Sequence, residues 1–167
     1  MKSSFFILLI LSAVAAGQES LKNADFTAVR PDGKPTPLHW YLDGNCTITA
    51  SKSDGAQVTV TAAGKKDGRL TQSLDVSPQS TYIVSAEIKA TVAGMAYVQI
   101  EFLDGGNEIK SMPRIDSEKN GDAWTPVTLE FSTKEAKRFS VLCRFEQTAR
   151  TSGQSASFRN IRVQKKQ

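Results

Sequence analysis

Reactive side chains are scarce in this 167-residue chain, which carries two cysteines, Cys46 and Cys143, and a single histidine, His39. No Cys/His cluster has metal-ligand spacing, and neither G-x-S-x-G nor a Gly-rich phosphate loop occurs, so metal, nucleophilic-serine and phosphoryl chemistry have no motif to rest on. Basic residues form no stripe, since only Lys65-Lys66 and Lys165-Lys166 are doublets. Nucleic-acid binding, which needs such a stripe interleaved with stacking aromatics, is therefore not expected. Beyond residue 17 no apolar run is long enough to span a bilayer, so membrane insertion is not expected either.

What the chain does have begins at its N-terminus. Lys2, the apolar run Phe5 to Leu11 and the small-residue exit Ala13-Val14-Ala15-Ala16-Gly17 describe a secretory signal peptide over residues 1–17. A secreted or periplasmic protein is expected, with residues 18–167 forming one domain. A domain of about 150 residues buries roughly two-thirds of its unfolded surface and needs no metal or disulfide framework. Loss of Lys2 leaves 20 basic residues against 17 acidic ones. That thin excess suits solubility and permits a weak preference for an anionic polymer.

From Cys46 onward the sequence alternates with period two. Tyr82, Val84, Ala86 and Ile88 are apolar against Ile83, Ser85, Glu87 and Lys89; Ala96, Val98, Ile100 and Phe102 are apolar against Tyr97, Gln99 and Glu101. Such alternation marks half-buried strands. Eight are predicted: 47–50, 58–62, 70–76, 81–90, 96–103, 127–132, 139–145 and 157–164. Turn chemistry separates them at Ser53-Asp54-Gly55, Gly64 to Gly68, Ser77-Pro78, Asp104-Gly105-Gly106 and Asn120-Gly121-Asp122. No segment shows helical periodicity, so the fold class is all-β, a two-sheet antiparallel β-sandwich. The longest irregular connection runs from Asp104 to Pro126. Three prolines between Pro31 and Pro37 stiffen the loop that delivers His39, Trp40 and Tyr41.

The pieces "NADF" (23–26), "DGKPTPLHW" (32–40), "LTQSLDVSPQSTYIVSAEIKA" (70–90), "AWTPVTLEFST" (123–133) and "FRNIRV" (158–163) occur in an order that resembles the carbohydrate-binding modules of families four and nine, which are galactose-binding-like jelly rolls. The resemblance covers nearly all of residues 18–167. It implies strands falling alternately into two four-stranded sheets, with the strands around Val60, Val84, Val98 and Val141 in one of them. In the resembled modules the concave outer face of that sheet binds sugar. By parity that face would present Tyr97 as an aromatic plate, with Gln99, Glu87, Glu101 and Arg144 to hold hydroxyl groups. The same charges also describe exposed cross-strand ion pairs on a solvated sheet. Trp40, Trp124 and Tyr82 match family positions that pack, which leaves Tyr41 and Tyr97 uncommitted.

Cys46 and Cys143 share parity with core residues, and under the jelly-roll assignment they lie in opposite sheets. Either an inter-sheet disulfide or two buried thiols fits. Family members often hold a structural calcium through carboxylates at positions that here read Thr27 and Arg159, followed by Asn160, which argues against the metal; no cofactor is expected. Glu87 and Glu101 could face one another as a glycosidase pair, but such a pair needs an apolar enclosure that the sequence does not promise, so an enzyme is not expected. The resemblance implies a non-catalytic module that binds a polysaccharide. The alternative is a structural or protein-contact β-sandwich with a cell-surface or secreted protein partner.

Overall fold

The computed structural model describes residues 20–34, 36–44, 46–51, 57–62, 68–104, 108–109, 114–116, 121, 123–148, 151 and 153–167. The expected signal peptide, the turns at 53–55 and 64–67, and most of the connection after Asp104 lie outside them. Among the described residues there are strands and no helix, and hence no helix long and apolar enough to cross a membrane.

The strands are β1 (Tyr41–Asp43), β2 (Cys46–Ser51), β3 (Gln57–Ala62), β4 (Gly68–Asp75), β5 (Thr81–Ala90), β6 (Ala96–Asp104), β7 (Glu108–Ile109), β8 (Arg114–Asp116), β9 (Thr125–Ser132), β10 (Arg138–Phe145) and β11 (Ser155–Lys165). The eight predicted strands are all present, with ends that differ by no more than two residues. The short strands β1, β7 and β8 were not predicted. β1, β4, β10, β6 and β7 form one sheet in that order, with β8 also paired to β6; β2, β3, β11, β5 and β9 form the other. Every pairing is antiparallel, as in a β-sandwich jelly roll.

Sheet membership corrects one expectation. Val60 and Val84 belong to the five-stranded sheet, whereas Val98 and Val141 belong to the six-stranded one. β5 and β6 share apolar parity and are separated by only five residues, yet they do not pair. The turn around Gly94 carries the chain from one sheet to the other, so the two apolar faces meet across the core. Alternation specifies which face is apolar; it does not specify which strand lies alongside.

The core fills with inward side chains from both sheets: Val98, Ile100, Phe139, Val141 and Phe145 against Val60, Val84, Ile88, Phe158 and Ile161. At one end Phe131 meets Phe139 edge-on at 5.1 Å, and Tyr82 meets Phe139 at 5.6 Å in the same manner. The Tyr82 hydroxyl accepts a hydrogen bond from the Ser77 amide at 3.2 Å. Trp40 is fully buried against Phe26 at 5.1 Å, as its family position implied, and its Nε1 donates to the Asn23 carbonyl at 3.0 Å. Asn23 clasps this N-terminal segment. Its Oδ1 accepts from the Ala28 amide at 2.8 Å, and its Nδ2 donates to the carbonyls of Ala28 and Leu38, both at 3.0 Å.

β11 contains a bulge between Arg159 and Arg162, with Asn160 in the left-handed region at φ 53°. The bulge resets the alternation, so that Phe158, Ile161 and Val163 all face inward. Asn tolerates that backbone better than most residues. Cys143 is a buried free thiol, and burial pushes its pKa well above the ordinary thiol range. The side chain of Cys46, the other half of the disulfide considered above, lies outside the described residues.

Candidate functional site

The register of the six-stranded sheet aligns its outward side chains in rows, because residues directly opposite one another share a face. One row runs Asp43, Arg69, Arg144, Tyr97 and Asp116; the next runs Tyr41, Thr71, Leu142 and Gln99; a third runs Ser73, Ser140 and Glu101. Tyr97, Gln99, Glu101 and Arg144 are therefore brought together on one outer face. Glu87 is not. It lies on the outer face of the other sheet, where Arg159 Nε donates to its Oε2 at 2.7 Å and Asn160 Nδ2 donates to the same oxygen at 2.5 Å. Glu87 and Glu101 thus form no carboxylate pair.

Tyr97 does not serve as an open plate. It is 2% exposed, Gln99 is 3% exposed and Glu101 is 8% exposed. The Arg144 guanidinium covers the Tyr97 ring at 5.6 Å from its centroid and donates to Gln99 Oε1 at 3.2 Å. Arg69 bridges the face. Its Nε donates to Asp43 Oδ2 at 2.8 Å, its Nη2 binds the same carboxylate oxygen, and its Nη1 reaches Glu101 Oε1 at 3.3 Å. The hydrogen bond from Arg69 is the main reason the Asp43 carboxyl is held below its ordinary pKa. Ser73 and Ser140 join by their hydroxyls at 2.8 Å.

Among the described residues, the exposed aromatic on this face is Tyr41, at 71%. β1 starts at Tyr41, opposite Thr71, so β4 residues Gln72 to Asp75 run on past its end. A groove of about 360 Å³ opens there, lined by Lys22, His39, Tyr41, Ser73, Asp75 and Arg138 among others. Its far wall is the N-terminal segment, clamped to β4 at two points: the Lys22 amide donates to Gln72 Oε1 at 2.6 Å and Gln72 Nε2 donates to the Lys22 carbonyl at 2.8 Å. The turn from Pro37 to Trp40 holds His39 at φ 68°, which sends Trp40 into the core and leaves His39 exposed at the groove.

Sequence reasoning left Tyr41 uncommitted and did not consider Asp43, Arg69 or Arg138. All three residues of β1 are exposed, so it has no alternation to betray it. Trp124 departs from the packing expectation. It is half-buried on the outer face of the five-stranded sheet, with the Arg159 guanidinium 4.1 Å and Lys89 Nζ 4.9 Å from its ring centroid.

No protein-family model matches this chain, and no curated protein sequence does. Solved structures do match. A family 4 carbohydrate-binding module superposes with a TM-score of 0.63 at 14% identity, covering 87% of this chain and 99% of that one. The module TmCBM61, solved with β-1,4-galactotriose, gives 0.61 at 14% identity over 89% and 99%. The enzymatically active domain of tailspike protein 4 of bacteriophage CBA120 gives 0.66 at 14% identity over 89% of this chain, which spans only 21% of that one. Most other similar structures are again carbohydrate-binding modules. The chain has the β-sandwich fold of these modules.

Proposed function

We propose that this protein is a secreted, non-catalytic module that binds polysaccharide on the outer face of its six-stranded sheet. The observation that carries the reading is the exposed ring of Tyr41 at the mouth of a polar groove on that face. Sugar recognition needs both a flat apolar surface for C–H groups and planar hydrogen-bonding side chains for hydroxyls. Tyr41 supplies the first. Asp75 and Arg138 supply the second in the groove, with the Ser73 hydroxyl beside them, and Asp43 and Arg69 do so alongside it. Tyr97, Gln99, Glu101 and Arg144 lie further across the same face, where the Tyr97 ring is too buried to stack on sugar and Glu101 anchors Arg69. The shared fold with modules such as TmCBM61, solved with β-1,4-galactotriose, supports the same reading.

The proposed module needs no calcium. Thr27, at one position where the resembled modules carry a carboxylate, donates its hydroxyl to Asp25 Oδ1 at 3.0 Å, and Arg159, at the other, is ion-paired with Glu87. A guanidinium and a hydroxyl do not make the anionic oxygen set that a hard cation requires. Affinity electrophoresis in β-1,4-galactan, xylan, laminarin, polygalacturonate and dextran sulfate, with and without chelator, tests the reading. Chelator-insensitive retardation that Tyr41→Ala abolishes supports it; equal mobility in every gel counts against it.

One observation favours a protein-contact module instead. Val29 is 78% exposed beside a second groove of about 400 Å³, lined in part by Phe26, Ala28, Pro37 and Ile48. Loss of a cross-linked partner in Val29→Asp would favour this second reading.

A further inference from the structure

The groove beside Tyr41 has a charge bias. Its cationic side chains are Lys22 and Arg138, with the His39 imidazole beside them, set against the single carboxylate of Asp75. Asp75 engages Arg138 only loosely, with 3.8 Å between Arg138 Nε and Asp75 Oδ1, and the two side chains are 55% and 95% exposed. A contact that wet holds little energy, so the guanidinium fork remains available to a ligand. The elements carrying these groups are nonetheless fixed. Lys22 sits on the segment clamped to Gln72, Arg138 starts β10 opposite Asp75, and His39 is set by its left-handed turn.

From this arrangement we infer that the groove takes a negatively charged sugar unit of a polysaccharide, its anionic group gripped by Arg138 and Lys22 while Tyr41 covers a ring face. Guanidinium pairs with planar carboxylates through two parallel hydrogen bonds, and a lysine adds a point charge that reaches any oxyanion. The inference rests on the proposed glycan-binding reading and narrows its ligand class. Two sources share the chemistry, uronic acids and sulfate esters, and the test separates them.

The experiment is affinity electrophoresis of the protein in gels of polygalacturonate, dextran sulfate, β-1,4-galactan and unmodified dextran, for the wild type, Tyr41→Ala, Arg138→Gln and Lys22→Gln. The variants keep backbone contacts intact, and their thermal melts check folding. Retardation is expected in a polyanion gel, weakened about tenfold or more in apparent affinity by Arg138→Gln and also reduced by Lys22→Gln and Tyr41→Ala. Polygalacturonate alone would identify the carboxylate as the source, and dextran sulfate alone the sulfate ester. Binding of β-1,4-galactan that needs Tyr41, with no preference for either polyanion, overturns this inference and leaves the glycan-binding reading standing. Polyanion retardation that survives both Arg138→Gln and Tyr41→Ala reflects overall positive charge and also overturns it. No retardation in any gel overturns both.

Discussion

Arg69 on β4 reaches over the intervening strand β10 to Glu101 on β6, with 3.3 Å between Nη1 and Oε1, while its other nitrogens grip Asp43 on β1. One guanidinium thus ties three strands of the six-stranded sheet together on the outer face. Glu101 is only 8% exposed, so removing Arg69 leaves a poorly hydrated carboxylate without this cation. Arg69→Ala is expected to cost about 1–3 kcal/mol in chemical denaturation. Arg69→Lys, which retains charge but loses the fork, should recover part of it.

Tyr41 and Tyr97 should separate binding from stability. Tyr97→Ala deletes an almost fully buried ring and is expected to cost about 3–5 kcal/mol. Tyr41→Ala removes a ring 71% in water and should leave the melting temperature nearly unchanged. Paired denaturation curves check both.

The eight longer strands were legible because their sequences alternate over most of their length, as in Tyr82, Val84, Ala86 and Ile88. Two features of the site were not. Glu87 reads like Glu101 in its strand, but the sheet to which each belongs depends on whether β5 and β6 pair or cross, and both courses fit the same short turn. Tyr41 lies on a three-residue strand exposed throughout, whose position depends entirely on pairing with β4. The β11 bulge left a trace, since the core residues Phe158 and Ile161 are three apart where strict alternation would space them by two.

The Asn23 clasp predicts that a local residue secures the N-terminal wall of the groove. Asn23→Ala removes three side-chain hydrogen bonds and places a β-carbon residue without local compensation at φ 50°. The expected loss is about 2 kcal/mol, and Asn23→Asp should not recover it, because the carboxylate oxygen that replaces Nδ2 faces the carbonyls of Ala28 and Leu38 and cannot donate to them.

Acid sensitivity should involve Asp32, whose carboxyl is held down to about 2, chiefly by its hydrogen bond from Arg30. A depressed folded-state pKa adds stability that is complete above the unfolded value near 3.8 and is lost as pH falls toward 2. The melting-temperature difference between wild type and Asp32→Asn should therefore be small and constant at neutral pH and vanish by about pH 2.

Burial and a raised pKa make Cys143 unreactive in the folded state. Alkylation by iodoacetamide, followed by peptide mass spectrometry without reductant, should label Cys143 only after denaturation. Failure to label it even then would mean that it is disulfide-bonded.

Amide NMR titration with oligogalacturonate, with β-1,4-galactotriose and with a dextran sulfate oligosaccharide tests the central claim most directly. The account predicts shifts concentrated at Tyr41, Ser73, Asp75 and Arg138 with at least one of the three ligands. Shifts centred instead on Lys89, Trp124 and Arg159 of the opposite face, or none with any of the three, would contradict it.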